Sequence, residues 1–321
     1  MKKTVKILGG IVGGIVLILL LGAATINFSG IPSYETHPPD LTVEPDSALI
    51  AEGKRLAVLV CSNCHQGPSG KLEGKFMSDV PAEFGKVWAP NITHSPQSRL
   101  APYTDGELAY LLRTGIKRDG KYAPPWMPKF PHLSDEDLHS IIAFLRSDAR
   151  ELQPSEKVQP APQPSFLVKL LCRVAFKPLP YPEKPIEAPP ITDKVAYGRY
   201  LVTSKIDCYS CHSEDFKTMN IEEPEKSGGY LGGGNPMLSP EDGKTVVYSA
   251  NITMDKETGI GNWTEEEFIK AVRFGQRPDG KPLRQPMIPF SALSGEEVSA
   301  IWAYLKTAPP IRNEVARNWG E

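Results

Sequence analysis

The feature that most constrains the fold is an internal repeat. Residues 91–147 align without gaps on residues 251–307, a shift of 160, and 18 of the 57 aligned positions are identical. Upstream, "AEGKRL" at 51–56 resembles "AYGRYL" at 196–201, at a shift of 145. Because self-similarity at a fixed spacing indicates repeated structural units, the sequence predicts two homologous domains in tandem.

Each copy of the repeat is expected to contain three helices joined by irregular loops. The first helix covers residues 47–60 in one copy and 193–206 in the other, within a residue or two. The second helix begins at "TDGE" in one copy and "TEEE" in the other, which have the pattern of a capping box. We expect that second helix to end near Gly115 and Gly275. In the third helix, "LHSIIAFL" and "VSAIWAYL", apolar residues recur at helical spacing. Strands are limited to possible short hairpins around 76–89 and 231–249, so the predicted fold class is mainly α.

The N-terminus has the composition of a membrane anchor. "MKKTVK" supplies three lysines, and residues Ile7 to Phe28 then run without a charge. About 20 apolar residues span a bilayer as a helix, and lysines before such a span favour a cytoplasmic N-terminus. A cleaved signal peptide is the alternative, because "LGAAT" offers small residues near a possible cleavage point. We expect an uncleaved single-pass anchor in the inner membrane, with the rest of the chain on the periplasmic side.

A proline-rich linker separates the two copies. Its centre, "FLVKLLCRVAF" at 166–176, is apolar but too short to span a bilayer. This segment either packs against a domain or lies on the membrane surface or a partner subunit. The expected organisation is an anchor, a first domain, the linker, a second domain and a tail, with boundaries at 1–30, 44–150, 151–190, 191–310 and 311–321.

Four of the five cysteines fall in two similar pentapeptides, "CSNCH" at 61–65 and "CYSCH" at 208–212. A redox dithiol would need a thioredoxin-like βαβ pattern, and a zinc site would need four ligands and would not explain the histidines. C-x-x-C-H is the attachment signature of c-type haem. The sequence therefore predicts two covalently bound haem c groups, held by thioether bonds and proximal histidines at Cys61, Cys64 and His65 and at Cys208, Cys211 and His212.

The sixth iron ligand decides between electron transfer and ligand binding. The repeat aligns Met127 with Met287, each in a proline-bounded loop before the last helix. A methionine can also simply fill a gap in a core. We predict that both are iron ligands, which would raise the haem potential and leave no open position. Two pairs of aligned cations, Arg113/Arg273 and Lys121/Lys281, would contact either haem propionates or solvent. The aligned asparagines Asn91/Asn251 are expected to fix a loop by hydrogen bonds from side chain to backbone.

Residues 44–150 and 191–310 resemble class I cytochrome c domains. The whole arrangement is similar to the membrane-bound cytochrome c subunits of periplasmic alcohol and gluconate dehydrogenases. The motifs that carry this resemblance are "ANIT" 250–253, "TGIGNWTEEEF" 258–268, "RPDGKPL" 277–283 and "MIPF" 287–290. That family often has three haem domains, whereas this chain has two motifs. The resemblance implies helical haem domains with His/Met iron, which transfer electrons and do not catalyse a reaction.

The function that we expect is electron transport rather than enzyme catalysis. An electron would pass from a dehydrogenase or quinol-oxidising complex, through both haems, to an oxidase or soluble cytochrome. The formal net charge is −2 and no segment is strongly basic, so a nucleic-acid partner is excluded. Two alternatives remain open at this stage. One is a diheme subunit of a haem–copper terminal oxidase, and the other is a diheme peroxidase with one displaceable ligand.

Overall fold

Most of the regular structure is helical, as the sequence predicts. The computed structural model describes residues 2–316, so Met1 of the expected anchor and residues 317–321 of the expected tail lie outside it. The helices are α1 Lys2–Ser29, α2 Ser47–Leu56, α3 Ser62–His65, α4 Asp105–Thr114, α5 Asp135–Arg146, α6 Phe166–Val174, α7 Lys194–Tyr200, α8 Cys208–His212, α9 Glu265–Phe274 and α10 Gly295–Leu305. Two antiparallel pairs supply the strands: β1 Gly85–Lys86 with β2 Gln163–Pro164, and β3 Pro236–Leu238 with β4 Val246–Tyr248.

The expected helix ends are present. Thr104 and Thr264 each accept a hydrogen bond from the backbone N–H three residues later, and the glutamates at that position complete the capping boxes. Gly115 and Gly275 close these helices at φ angles of +79° and +71°, a left-handed conformation that favours glycine. These local signals therefore fix the length of α4 and α9 at equivalent places.

The first and last helices of each half cross at very short distance. A Cβ atom added to Gly53 of α2 would lie 1.8 Å from the carbonyl oxygen of Ser140 in α5. A Cβ atom on Gly198 of α7 would lie 1.9 Å from the carbonyl oxygen of Ala300 in α10. These glycines are aligned in the repeat. The two helix pairs thus have the same crossing, which only a residue without a side chain permits.

The helices that lead into the two cysteine motifs do not continue to the motif in regular α geometry. Ala57–Cys61 and Leu201–Lys205 are π-helical turns, with bonds from Ser62 N–H to the Ala57 carbonyl and from Ile206 N–H to the Leu201 carbonyl. The sequence predicts helices over about 47–60 and 193–206, and the chain is helical over 47–61 and 194–205, but the last turn before each motif is of the π type. A π turn adds a residue to the helical turn and rotates every side chain that follows. Hydrophobic spacing carries no signal for so local an insertion.

The linker packs closely on the first half. β2 pairs with β1, and the Leu179 N–H donates to the carbonyl of Thr114 at 3.1 Å. The buried carboxylate of Glu73 accepts hydrogen bonds from the Ser155 hydroxyl at 2.7 Å and from Lys157 Nζ at 2.9 Å. The linker is therefore part of the packed structure rather than a free spacer.

The two halves meet through side chains at aligned positions. Arg55 of α2 forms an ion pair with Glu297 of α10 at 2.8 Å, and Tyr200 of α7 donates to Asp137 of α5. Arg55 aligns with Tyr200, and Asp137 aligns with Glu297, so the two contacts are reciprocal and join equivalent positions of the repeat. Lys205, with 4% of its side chain exposed, joins the interface by pairing with Asp137 at 2.9 Å. One apolar cluster also runs through both halves.

Within residues 2–316, one helix is long and apolar enough to cross a membrane. It covers Lys3–Ser29, with a hydropathy of 2.6 in its most apolar window, and no part of that window is buried against the rest of the protein. By length and composition, this helix suits either a membrane anchor or a signal sequence.

Candidate functional site

Each cysteine motif lies on a short helical turn next to a π-helical turn. In the first motif, Cys61 ends the π turn and α3 carries Cys64 and His65. In the second motif, α8 carries both cysteines and His212. None of the four cysteines forms a disulfide bond, and all four are partly exposed. Residues three apart on a helix lie on the same side, so each turn presents two thiols and one imidazole from a single short segment.

The two histidines have the same hydrogen bond. Nδ1 of His65 lies 3.0 Å from the carbonyl oxygen of Pro90, and Nδ1 of His212 lies 2.8 Å from that of Ala250. The acceptors are aligned residues, each one before an "NIT" asparagine. Because a carbonyl only accepts, Nδ1 must carry the proton, and Nε2 keeps its lone pair for a metal ion. Burial lowers the pKa of both imidazoles, and it outweighs the opposing effect of these hydrogen bonds. Both rings are thus neutral and oriented as ligands.

A pair of glycines holds the backbone of each histidine. Gly74 N–H donates to the His65 carbonyl at 2.8 Å, and Gly233 N–H donates to the His212 carbonyl at 2.7 Å. Both glycines have positive φ, and a Cβ atom on either would lie within 2.4 Å of the segment that accepts the imidazole N–H. Sequence alignment missed this pair because the glycines lie in the interval where the second copy carries 13 extra residues. Conformation, rather than spacing, shows their equivalence.

The loops that carry Met127 and Met287 are anchored identically. Where each loop begins, Ala123 N–H donates to the carbonyl of Gly115 at 2.7 Å, and Leu283 N–H donates to that of Gly275 at 2.9 Å. Three residues after each methionine, a phenylalanine N–H donates to a carbonyl in the last turn of α4 or α9 at 2.8 Å. Both methionines are partly exposed. The matching anchors give the two loops the same starting and closing points, and the assignment of both sulfurs as iron ligands stays a prediction.

The chemistry of the donors fits a c-type haem better than the two alternatives. Burial raises the pKa of the Cys61 and Cys208 thiols to about 12 and that of Cys64 and Cys211 to about 11, whereas reactive dithiols have lowered pKa values. Across residues 2–316, no three His, Cys, Asp or Glu side chains lie close enough to hold a metal ion. The two motifs therefore do not combine into a zinc site. Each offers protonated thiols and a neutral imidazole beside an apolar core.

The "NIT" asparagines act as loop fasteners, as expected. Asn91 Oδ1 accepts from the Thr93 N–H at 2.9 Å, and its amide donates to the linker carbonyls of Ser155 and Lys157. Asn251 Oδ1 accepts from the Thr253 N–H at 3.0 Å, and its amide donates to the carbonyl of Ile311. Each asparagine therefore joins the segment that accepts the imidazole N–H to the residues that follow that half of the chain.

Of the aligned arginines, the first has a structural role. Arg113 is fully buried, pairs with Asp135 at 2.6 Å and donates to the carbonyls of Phe130 and Pro131. These bonds hold the end of the Met127 loop, so Arg113 is committed to the protein rather than to a propionate. Arg273 differs, because its Nε is buried without a hydrogen-bond partner among the described residues. The expectation that Arg113 meets a propionate or solvent is therefore wrong, because its charge is buried and paired with Asp135.

The fifth cysteine is separate from both motifs. Cys172 is fully buried in α6, where it packs with Val168 and Tyr122. Burial raises the pKa of its thiol to about 11. This environment is that of an inert core residue.

Residues 50–148 match the cytochrome c family. The chain is 27% identical over 306 residues to the "Alcohol dehydrogenase (quinone), cytochrome c subunit" of Gluconobacter oxydans, which covers 90% of this chain and 60% of that protein. It is 26% identical to the "Gluconate 2-dehydrogenase cytochrome c subunit" of Pantoea cypripedii, over 91% of this chain and 64% of that protein. The chain thus spans about three fifths of the length of these relatives.

A relative of similar length is also found. The "Diheme cytochrome c-type" protein of Cereibacter sphaeroides is 25% identical over 313 residues, which cover 93% of this chain and 97% of that protein. Residues 50–148 therefore form a cytochrome c domain, whose cofactor is covalently bound haem c, and the chain as a whole resembles the cytochrome c subunits of dehydrogenases.

Proposed function

We propose that this chain is a diheme c-type cytochrome with two tandem class I cytochrome c domains, at 44–150 and 191–310, joined by the linker 151–190. It transfers electrons on the periplasmic face of the inner membrane. The electrons pass from a dehydrogenase or quinol-oxidising complex to an oxidase or a soluble cytochrome.

The observation that carries this proposal is the repeated histidine geometry. His65 and His212 each follow a C-x-x-C pair, and each has its Nδ1 fixed by a carbonyl at an aligned position. Two unrelated histidines would have no reason to adopt the same tautomer at the same place in a repeat. The full-length similarity to a diheme cytochrome supports the same count of two.

In the proposed sites, the chain's own residues attach, orient and shield the cofactor. The thioether bonds would form at Cys61, Cys64, Cys208 and Cys211, and His65 and His212 would offer Nε2 to the iron. Met127 and Met287 would offer a sulfur ligand and would leave no place for peroxide or a gas to bind. Bound haem supplies one-electron iron chemistry. The methionine sulfurs and the apolar surroundings would raise the haem potential.

Helix α1 supports the proposed membrane location. Its lysines precede an exposed apolar helix, which fits an anchor with a cytoplasmic N-terminus. Such an anchor would keep both sites close to the membrane surface. The relatives are named as cytochrome c subunits of an alcohol dehydrogenase (quinone) and of a gluconate 2-dehydrogenase, which supports a dehydrogenase as the partner.

The test is to isolate the full chain from its native membrane in mild detergent and identify the subunits that co-purify. We expect a dehydrogenase or quinol-oxidising complex, whose substrate reduces both haems of this chain. Ready binding of carbon monoxide at either iron, or peroxidase turnover, would contradict the carrier function and favour the peroxidase alternative.

A further inference from the structure

Helix α6 has two apolar faces, and only one of them is covered by protein. Val168 and Cys172 are buried against Tyr122 and its neighbours. On the opposite side, Phe166, Leu167 and Val174 are 42%, 39% and 66% exposed. Large apolar side chains grouped on one exposed face usually mark a surface that contacts another apolar phase, so the exposed face is expected to meet one.

The position of α6 relative to α1 identifies that phase. Lys169 Nζ donates to the backbone carbonyl of Asn27 at 3.1 Å and to its side-chain oxygen at 2.9 Å. Arg173 donates to the Gly30 carbonyl and to the Ser29 hydroxyl, both at 2.6 Å. Two cations of α6 thus bind the C-terminal end of α1, where the helix dipole and free carbonyls favour positive charge.

The length of α1 sets the depth of this junction. The uncharged run from Ile7 to Phe28 has 22 residues, which at 1.5 Å per residue spans about 33 Å, slightly more than the hydrocarbon core of a bilayer. Phe28, with 87% of its surface exposed, therefore lies at the outer boundary of that core. Because α6 is bonded to Asn27, Ser29 and Gly30, it lies at the same level.

The charge of α6 suits the same place. From residue 166 to residue 178 the charged residues are Lys169, Arg173 and Lys177, and there is no acid. Basic residues beside an exposed apolar face are typical of helices that lie in the headgroup region of anionic membranes.

We propose that α6 is a second membrane contact, with Phe166, Leu167 and Val174 inserted in the lipid interface beside the end of α1. The first half of the chain is then held on the membrane by two elements, and its orientation is fixed. This inference depends on the membrane location proposed for α1 and is independent of the haem sites.

The test places a nitroxide on Val174→Cys in the full chain, reconstituted in vesicles of phosphatidylethanolamine and phosphatidylglycerol. Val195→Cys is the matched control, because Val195 is a partly exposed helical valine of α7, far along the chain from α1. We expect oxygen to relax the label at 174 several-fold more than a water-soluble nickel chelate does, and the reverse ratio at 195. Phe166→Cys, on the same face, should behave as Val174→Cys.

Equal nickel accessibility at positions 174, 166 and 195 would overturn the proposal. Labels that are shielded from both reagents in native membranes but open to nickel in vesicles would also overturn it, in favour of a partner subunit. An intact mass that lacks residues 1–29 would remove its basis. Haem content, measured on the same samples, tests the proposed function separately.

Discussion

At the scale of single residues, the two methionines are the assignments with the most direct consequence. If Met127 and Met287 bind iron, the near-infrared band of sulfur-ligated ferric haem should be about half as intense in each single variant, Met127→Ala or Met287→Ala, as in the wild type. Each variant leaves one of the two sites intact. Near-infrared absorption of the ferric protein measures this. Met237→Ala is the control, since Met237 lies in β3 and has no aligned methionine. An unchanged band in either variant removes that ligand.

Gly74 offers a second residue-scale test. In Gly74→Ala the new methyl group would lie 2.2 Å from the Ala89 carbonyl oxygen, in addition to the strain of a φ of +75°. We expect a loss of about 2–4 kcal/mol in the free energy of unfolding and a displaced His65. Gly70→Ala is the matched control, because Gly70 has a φ of +80° but open space around its Cα. Strain alone should cost it about 1 kcal/mol. Equal losses in a urea titration would show that close packing at Gly74 does not matter.

Sequence reasoning was effective where a local rule decides the conformation. The capping boxes at Thr104 and Thr264 and the left-handed glycines that end α4 and α9 follow from residue type alone. The Nδ1 acceptors of His65 and His212 are backbone carbonyls, which carry no residue signature. The tautomer of each histidine could therefore be read only from the structure.

At the scale of elements, the linker is tied to the first half by Glu73. Burial opposes ionisation of this carboxylate, but hydrogen bonds from Ser155, Lys157 and Ser69 outweigh it and lower its pKa from 4.5 to about 2. Because the pKa of Glu73 is lower in the folded protein than in the unfolded chain, its ionised form stabilises the fold. This stabilisation is complete above the pKa of the unfolded chain and is lost as the pH falls toward the pKa of the folded protein. Between pH 4.5 and about 2, the wild-type stability should therefore decline toward that of Glu73→Gln.

Urea unfolding at pH 6 and at pH 3 measures the difference between the wild type and Glu73→Gln. We expect the gap to be wide at pH 6 and narrower at pH 3. Glu83→Gln serves as the control, because Glu83 is exposed in the turn that precedes β1. A gap that is constant with pH would mean that the charge of Glu73 does not hold the linker.

Several element-scale features were not predictable from the pattern of the sequence. The π turns before each motif leave the hydrophobic spacing unchanged, and the pairing of β1 with β2 joins residues far apart in the chain through backbone atoms only. Proline content marked 151–190 as a linker, but it did not show that α6 and β2 lie within this segment. It could not show that Asn91 and Glu73 bind this segment, because those partners are ordinary polar residues.

At the scale of the whole molecule, the interface between the halves depends on a buried cation. Lys205→Met would leave the buried carboxylate of Asp137 without its ion pair, and we expect it to lower the free energy of unfolding by about 3–5 kcal/mol. Lys226→Met removes a pair whose side chains are 66% and 57% exposed, and it should cost less than about 1 kcal/mol. Guanidinium titrations of both variants compare them. Similar small losses would show that the halves are not held together by this network.

The sequence repeat predicts two similar halves, but it does not predict the contacts between them. Arg55 and Tyr200 occupy aligned positions and face aligned carboxylates, yet one contact is an ion pair and the other a hydroxyl bond. Divergence of residue type at a symmetric contact hides it from a comparison of the copies. The result is a pair of halves that share one apolar cluster.

The central claim is that haem is attached covalently at both motifs. Intact mass of the full chain, exported with its haem-attachment machinery, tests it most directly, with a pyridine haemochrome spectrum to count the haems. We predict a mass increase of two haem groups per chain, and of one in Cys208→Ala/Cys211→Ala. A wild-type chain with one haem or none, or a double variant that still carries two, would contradict the account.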